Sequence, residues 1–322
     1  MEKRLFSVIW LSAIWLTALW PPVATAEEID FDSVPAELRD SYEAQKAEIE
    51  ALIERIKDEG LSGNVRAEEL ANLQLQFPYL SLPVASSVAL TESEPLQLTA
   101  TRILVGSVVM MNHAANADHQ MHKQFAATMD ILAQIVERGS PSARSLAAEA
   151  GASLGDKGIL GEIENQNSKG VFNDADTVGY FTLADPELAA IYVDKYLNSE
   201  SVAAQKQAIA YLGSLTDYQN TIRQDYLFDS RKPTELQAAA ARVLARTDAD
   251  FALYSDKVIK RDDTPIEVVD AIIRGSIENK KNPVDAEQIS KYETILQDYS
   301  KANPDVDIQE LNAIQKKIQT LQ

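Results

Sequence analysis

The chain has 322 residues and no cysteine. Disulfides, thiolate metal sites and thiol-based catalysis or redox chemistry are therefore excluded. A chain of this length can bury enough apolar surface to fold without such staples. Tryptophan is confined to Trp10, Trp15 and Trp20. Beyond Trp20 the chain thus lacks the indole platforms on which sugars commonly stack. Positive charge is scarce: 30 Lys and Arg stand against 49 Asp and Glu, a net charge of −19. Such a chain repels phosphate backbones and anionic bilayers, which argues against nucleic-acid and membrane-surface partners. The same charge favours a soluble, monomeric or weakly associating state and leaves the oligomeric form open. No glycine-rich phosphate loop and no nucleophile-elbow motif is present. A non-enzymatic role is expected, with catalysis left open.

The N-terminus has the order of a secretory signal. Lys3 and Arg4 precede an apolar run from Leu5 to Trp20; Pro21 and Pro22 break it, and Ala24-Thr25-Ala26 offers small residues to a peptidase. The run is shorter than the roughly 18–20 residues that span a bilayer. Residues 1–26 are read as a signal peptide, with an uncleaved anchor as the alternative. Cleavage after Ala26 would leave residues 27–322 in the periplasm or outside the cell, with no membrane span.

The rest of the chain reads as all-α. Leu38, Tyr42, Gln45, Ile49, Leu52 and Ile56 recur at spacings of three and four, predicting one amphipathic helix over 34–59 within an N-terminal segment, 27–76. Its stripe packs on the body of the protein or forms a short coiled coil. Pro78, Pro83 and Pro95 lie among Ser, Thr and Glu, which predicts a linker over 77–95. Residues 103–111 are almost wholly apolar and read as a buried helix. Met121, Phe125, Met129, Leu132 and Val136 mark another helix, ended by Gly139.

From Ser140 a weak repeat follows. Ala150-Gly151-Ala152-Ser153-Leu154-Gly155 is echoed by Ala208-Ile209-Ala210-Tyr211-Leu212-Gly213 and by Ala240-Ala241-Arg242-Val243-Leu244-Ala245. Each closes an alanine-rich helix that opens near Pro141, Ser201 or Pro233. Each precedes an acidic turn at Asp156, Asp217 or Asp248, and then a further helix. Over roughly 96–280 this pattern resembles HEAT-repeat proteins. The resemblance implies antiparallel helix pairs stacked into an α/α superhelix, with a protein partner held on an extended surface. Residues 281–322 are expected to add two capping helices, broken at Asn303-Pro304.

Two stretches carry candidate chemistry. His113, His119 and His122 are all the histidines of the chain and fall within ten residues, with Asp118 and Met121 among them and Met110 and Met111 just before. A hairpin at Ala114–Ala117 would bring them together as a Zn or Cu site; solvated helix-start residues are the alternative reading. Asn173 to Asp185 places Asp174, Asp176, Gly179 and Asp185 at calcium-loop spacing. However, Val178 sits where an oxygen ligand belongs. The expected function is an exported, protein-binding adaptor of the cell envelope, with periplasmic metal binding as the alternative.

Overall fold

In a computed structural model, residues 36–114, 119–259, 264–279, 286–302 and 308–319 are described. Residues 1–26, read above as a signal peptide, Pro35, Asp118 and the Asn303-Pro304 break lie outside them. Among the described residues there are 17 α-helices and no strand, so the all-α expectation holds. The chain forms two compact units. One contains the described residues up to Phe172 together with Leu183–Asp185; the other contains Asn173–Thr182 and the chain from Pro186 onward. Residues 77–95, expected as a linker, fall inside the first unit.

The first unit comprises α1 (Ala36–Ala44), α2 (Lys46–Lys57), α3 (Gly63–Gln76), α4 (Pro78–Ala89), α5 (Leu96–Ala114), α6 (His119–Arg138), α7 (Pro141–Ser153) and α8 (Lys157–Ser168). The single helix expected over 34–59 is interrupted at Gln45, whose side-chain amide donates to the Ser41 carbonyl at 3.2 Å. Beyond the break the buried stripe is Ile49, Ile53 and Ile56, with Leu52 only half-buried. The segment expected as a linker contains α4, with Pro83 inside it. An internal proline costs a helix about 3 kcal/mol. Burial of Leu80, Leu82, Val84 and Val88 offsets that, at roughly 1.5–3 kcal/mol for each large apolar side chain.

From α3 to α6, each helix packs on the next and on the next but one. Three polar groups tie the connections down, Arg66 and Gln97 buried and Glu94 exposed. Arg66 of α3 donates through Nε to the Ile56 carbonyl at 2.6 Å and grips Glu92 with both terminal nitrogens at 2.6 and 2.9 Å. Gln97 of α5 donates to the Ala89 carbonyl at 2.8 Å and accepts from the Ser140 N–H at 2.7 Å. Glu94 accepts from the Ser142 N–H at 3.2 Å, so a carboxylate sits at the N-terminus of α7, where backbone donors are free. Hydrogen bonds from Ser142 hold the Glu94 carboxyl below its ordinary pKa.

The second unit comprises α9 (Asp174–Phe181), α10 (Pro186–Val193), α11 (Val202–Leu212), α12 (Thr216–Ile222), α13 (Thr234–Thr247), α14 (Phe251–Ile259), α15 (Ile266–Glu278), α16 (Ala286–Ala302) and α17 (Ile308–Gln319). Here α9, α11, α13 and α15 pack on one another in that order, and the short helices α10, α12 and α14 flank them. Ser201 caps α11 through Oγ and the Ala204 N–H, as its place in the sequence predicts. The tightest pair is α13 with α15. A Cβ on Gly275 would collide with the Arg242 carbonyl oxygen and lie 2.8 Å from the Ala245 methyl. Around that contact Asn279 donates to the Ala245 carbonyl at 3.2 Å, and Glu278 pairs with Arg242 and, at 3.9 Å, with Arg246. On the other side of α15, Ile266, Val269 and Ile273 form a cluster with Tyr292 and Leu296 of α16 and Ile314 and Ile318 of α17.

The Gly275 contact sets a test of this packing. Gly275→Ala should lower the unfolding free energy by about 1–3 kcal/mol, because α13 meets it with backbone rather than a movable side chain. Gly161→Ala, with nothing within 4 Å of the added carbon, should stabilise α8 by roughly 0.5–1 kcal/mol. Urea melts of both variants check this; equal effects at the two positions would contradict the close approach.

Candidate functional site

A concave surface lies in the second unit. It is built by two tight turns and the segment that leads into α13. Pro186–Val193 runs into a 3₁₀ turn, Asp194–Asn198. Helix α12 runs into a wider π turn, Arg223–Leu227, closed by the Phe228 N–H on the Arg223 carbonyl at 3.0 Å. The extra residue of such a turn changes which side chains face inward. Tyr226 and Leu227 are buried, while Gln224 and Asp225 stay exposed. The buried Tyr226 hydroxyl donates to the Leu197 carbonyl at 2.6 Å and locks the two turns together.

Between them lies an open cleft of about 520 Å³, lined by Asn198, Gln224, Asp225, Tyr226, Phe228, Asp229, Arg231 and Lys232. Two of its four charged side chains, Asp229 and Arg231, are matched to each other. Arg231 donates to Asp229 through Nε at 2.8 Å and through a terminal nitrogen at 2.9 Å, and its backbone N–H adds a third bond at 3.1 Å. These bonds, the Arg231 side chain first, hold the Asp229 carboxyl down at about 2. Lys232 Nζ sits 4.6 Å from the centre of the Tyr226 ring, within cation–π range. The lining contains no serine, histidine or cysteine, so it offers no hydroxyl–imidazole or thiol nucleophile pair. The cleft can offer hydrogen bonds from the Asn198 and Gln224 amides and one unmatched carboxylate, Asp225. That suits a polar surface contact.

A second polar group in this unit is buried. The Tyr254 hydroxyl donates to Asp248 at 2.5 Å, and Arg223 lies 4.9 Å above the Tyr254 ring, with Phe228 and Phe251 packed against its edges. Burial, and then the bond to Asp248, push the Tyr254 phenol well above its ordinary pKa. It is locked as a neutral donor, the opposite of what a general base requires.

The sequence-derived candidates fare differently. Helix α5 ends just past His113 and α6 opens at His119, and the two helices pack together, so His113 and His119 lie on successive packed helices and not on one continuous helix. The side chains of His113 and His119, and all of Asp118, lie outside the described residues. The His122 side chain is exposed. Among the described residues no group of three His, Asp or Glu could hold a metal. The calcium-loop reading of Asn173 to Asp185 is overturned. Asp174 and Asp176 lie inside α9, and Asn173 caps that helix by accepting from the Asp176 N–H at 2.9 Å. A helix holds its carboxylates outward and cannot wrap them around an ion. Nothing in the sequence reading singled out the cleft. The one available signal was Asp229-Ser230-Arg231 just ahead of Pro233, a turn composition.

No known protein family, characterised protein or solved structure matches the chain.

The Asp229–Arg231 pair yields a pH prediction. Because its folded pKa is depressed, Asp229 stabilises the turn above the ordinary aspartate value of about 3.9 and loses that contribution as the pH falls towards 2. Carboxyl-carbon NMR should follow this titration, and Arg231→Ala should return Asp229 to the ordinary range. An Asp229 that titrates near 4 in the parent would show that the pair is not formed in solution.

Proposed function

We propose that this chain is an exported, non-enzymatic helical protein that binds a protein partner in the cell envelope. The observation that carries this reading is the surface of the second unit. The buried row α9, α11, α13 and α15 is flanked by short helices, and two of these hold large aliphatic side chains in solvent: Ile191 of α10 at 71% exposure and Leu253 of α14 at 78%. Exposed aliphatics on a well-packed scaffold supply the apolar contacts that partner binding uses. Packing of alternate helices in chain order also supports the HEAT-like reading of this region. The net charge of −19 favours a partner that presents basic groups.

The test is cross-linking in intact exporting cells, with the N-terminus of the recovered protein read by intact mass. One defined partner should be captured by the parent and lost from Ile191→Asp/Leu253→Asp, while the thermal melt of that variant stays unchanged. Unchanged capture by the variant would remove the surface from the reading; a chain that retains residues 1–26 would make it an anchored protein.

Metal binding by His113, His119 and His122 is the second reading. Its support is the α5–α6 pair, which ends one helix and opens the next at these histidines. Calorimetric titration with Zn and with Cu should show one site that disappears in His119→Ala/His122→Ala. A variant that binds as well as the parent would sink it.

A further inference from the structure

Charge along this chain is uneven. Charged residues make up 25% of it, yet from Ala71 to Ala114 the fixed charges are Glu92, Glu94 and Arg102 alone. Both acids are engaged inside the first unit, Glu92 by Arg66 and Glu94 by Ser142. Helix α5 contains no acidic residue at all. It packs on α3, α4, α6 and α7, and its exposed residues are Arg102, Gly106, Val109, Met110 and, at the end of the stripe, Asn112, with Val105 half-buried beside them. Val109 is 47% exposed and Met110 43%. Gly106 meets nothing within 4 Å of where a Cβ would stand, so another helix can approach closely there.

We infer that this stripe is an isologous contact between two copies of the chain, α5 against α5 across a two-fold axis at Gly106. Charge selects the occupant. Two copies at −19 each repel wherever acidic surface meets acidic surface. A self-complementary contact sets a patch against itself and therefore needs one nearly free of like charge. The α5 stripe meets that requirement. An antiparallel pair centred on Gly106 sets Arg102 of one copy opposite Met110 of the other, where the arginine stem can lie along the thioether. The two Arg102 side chains are then offset by eight residues, about 12 Å along the axis, which exceeds the screening length of roughly 8–10 Å at physiological salt.

The salt dependence has a definite sign. An ion-paired dimer weakens as salt rises, whereas an apolar contact between two anionic bodies tightens because their repulsion is screened. Sedimentation equilibrium of the protein as recovered from exporting cells should show a monomer–dimer equilibrium, with dimer fraction rising from about 0.05 to 0.5 M NaCl. Val109→Glu/Met110→Glu should weaken it by at least about tenfold without changing the circular dichroism spectrum. Should that variant misfold, the absence of native cysteine supplies a second measurement. Mild oxidation should link Gly106→Cys chains into covalent dimers and leave Ile191→Cys chains, exposed in the second unit, monomeric. A monomer up to about 100 µM at both salts, corresponding to binding weaker than about −5.5 kcal/mol, would overturn the inference. So would a dimer that survives the glutamates, or equal linking at positions 106 and 191.

Discussion

Close approach of helix backbones governs this structure. Aromatic residues are only 7% of the chain, so large side chains cannot fill wide gaps between helices. The helices must instead lie close, and small residues on the contact lines permit it. Gly151 faces Ile159 across the α7–α8 pair, Gly213 faces Val243 at the C-terminal end of α11, and Gly275 faces the backbone of α13 at Arg242. Fully buried alanines at 143, 147, 148, 204, 208, 240 and 241 extend the same lines. Packing of this kind gains from many short dispersion contacts rather than from a few large buried groups. It also fixes helix spacing rigidly, because a backbone cannot change rotamer to make room.

Polar groups play the complementary part, joining segments that apolar packing alone would leave free to slide. Most ion pairs here are exposed and contribute little, typically up to about 1 kcal/mol each. Arg66 is different. It is 7% exposed, and it meets a backbone carbonyl in the last turn of α2 and a bidentate carboxylate from the α4–α5 connection. Removing it would strand Glu92 and the Ile56 carbonyl together, the costly way to break a buried network. In the second unit the Tyr226 hydroxyl serves the same purpose between two turns, which is why the cleft beside it keeps its shape.

Much of the helical layout was legible in the sequence. Stripes at three-and-four spacing and the openings at Pro141, Ser201 and Pro233 all mark helices that form, because periodicity and caps act locally. The misreadings have physical causes. Residues 77–95 looked like a linker because proline and serine are poor helix formers, yet burial of Leu80 and Val88 is a tertiary effect that local composition does not display. The break at Gln45 shifted the buried stripe onto Ile53, since a polar residue within a seam can end a helix as well as interrupt its apolar face. The cleft depends on a π turn, and one extra residue in a turn leaves no periodic trace. The calcium-spaced acids failed for the opposite reason: their spacing is visible in the sequence, but Asn173 caps a helix that takes up Asp174 and Asp176.

Gln97 shows how narrowly one position can be specified. Its side chain is a dipole with unlike ends, the nitrogen on Ala89 at the close of α4 and the oxygen on Ser140 at the opening of α7. Glutamate has nearly the same shape, but it would set an oxygen lone pair against the Ala89 carbonyl and bring a charge into a site that is 5% exposed. In a chain so rich in glutamate, this is a place where the commonest neighbouring chemistry is forbidden. Slow deamidation here would therefore act as a one-way chemical lesion, loosening the ends of two helices from a third without altering the outline of the molecule.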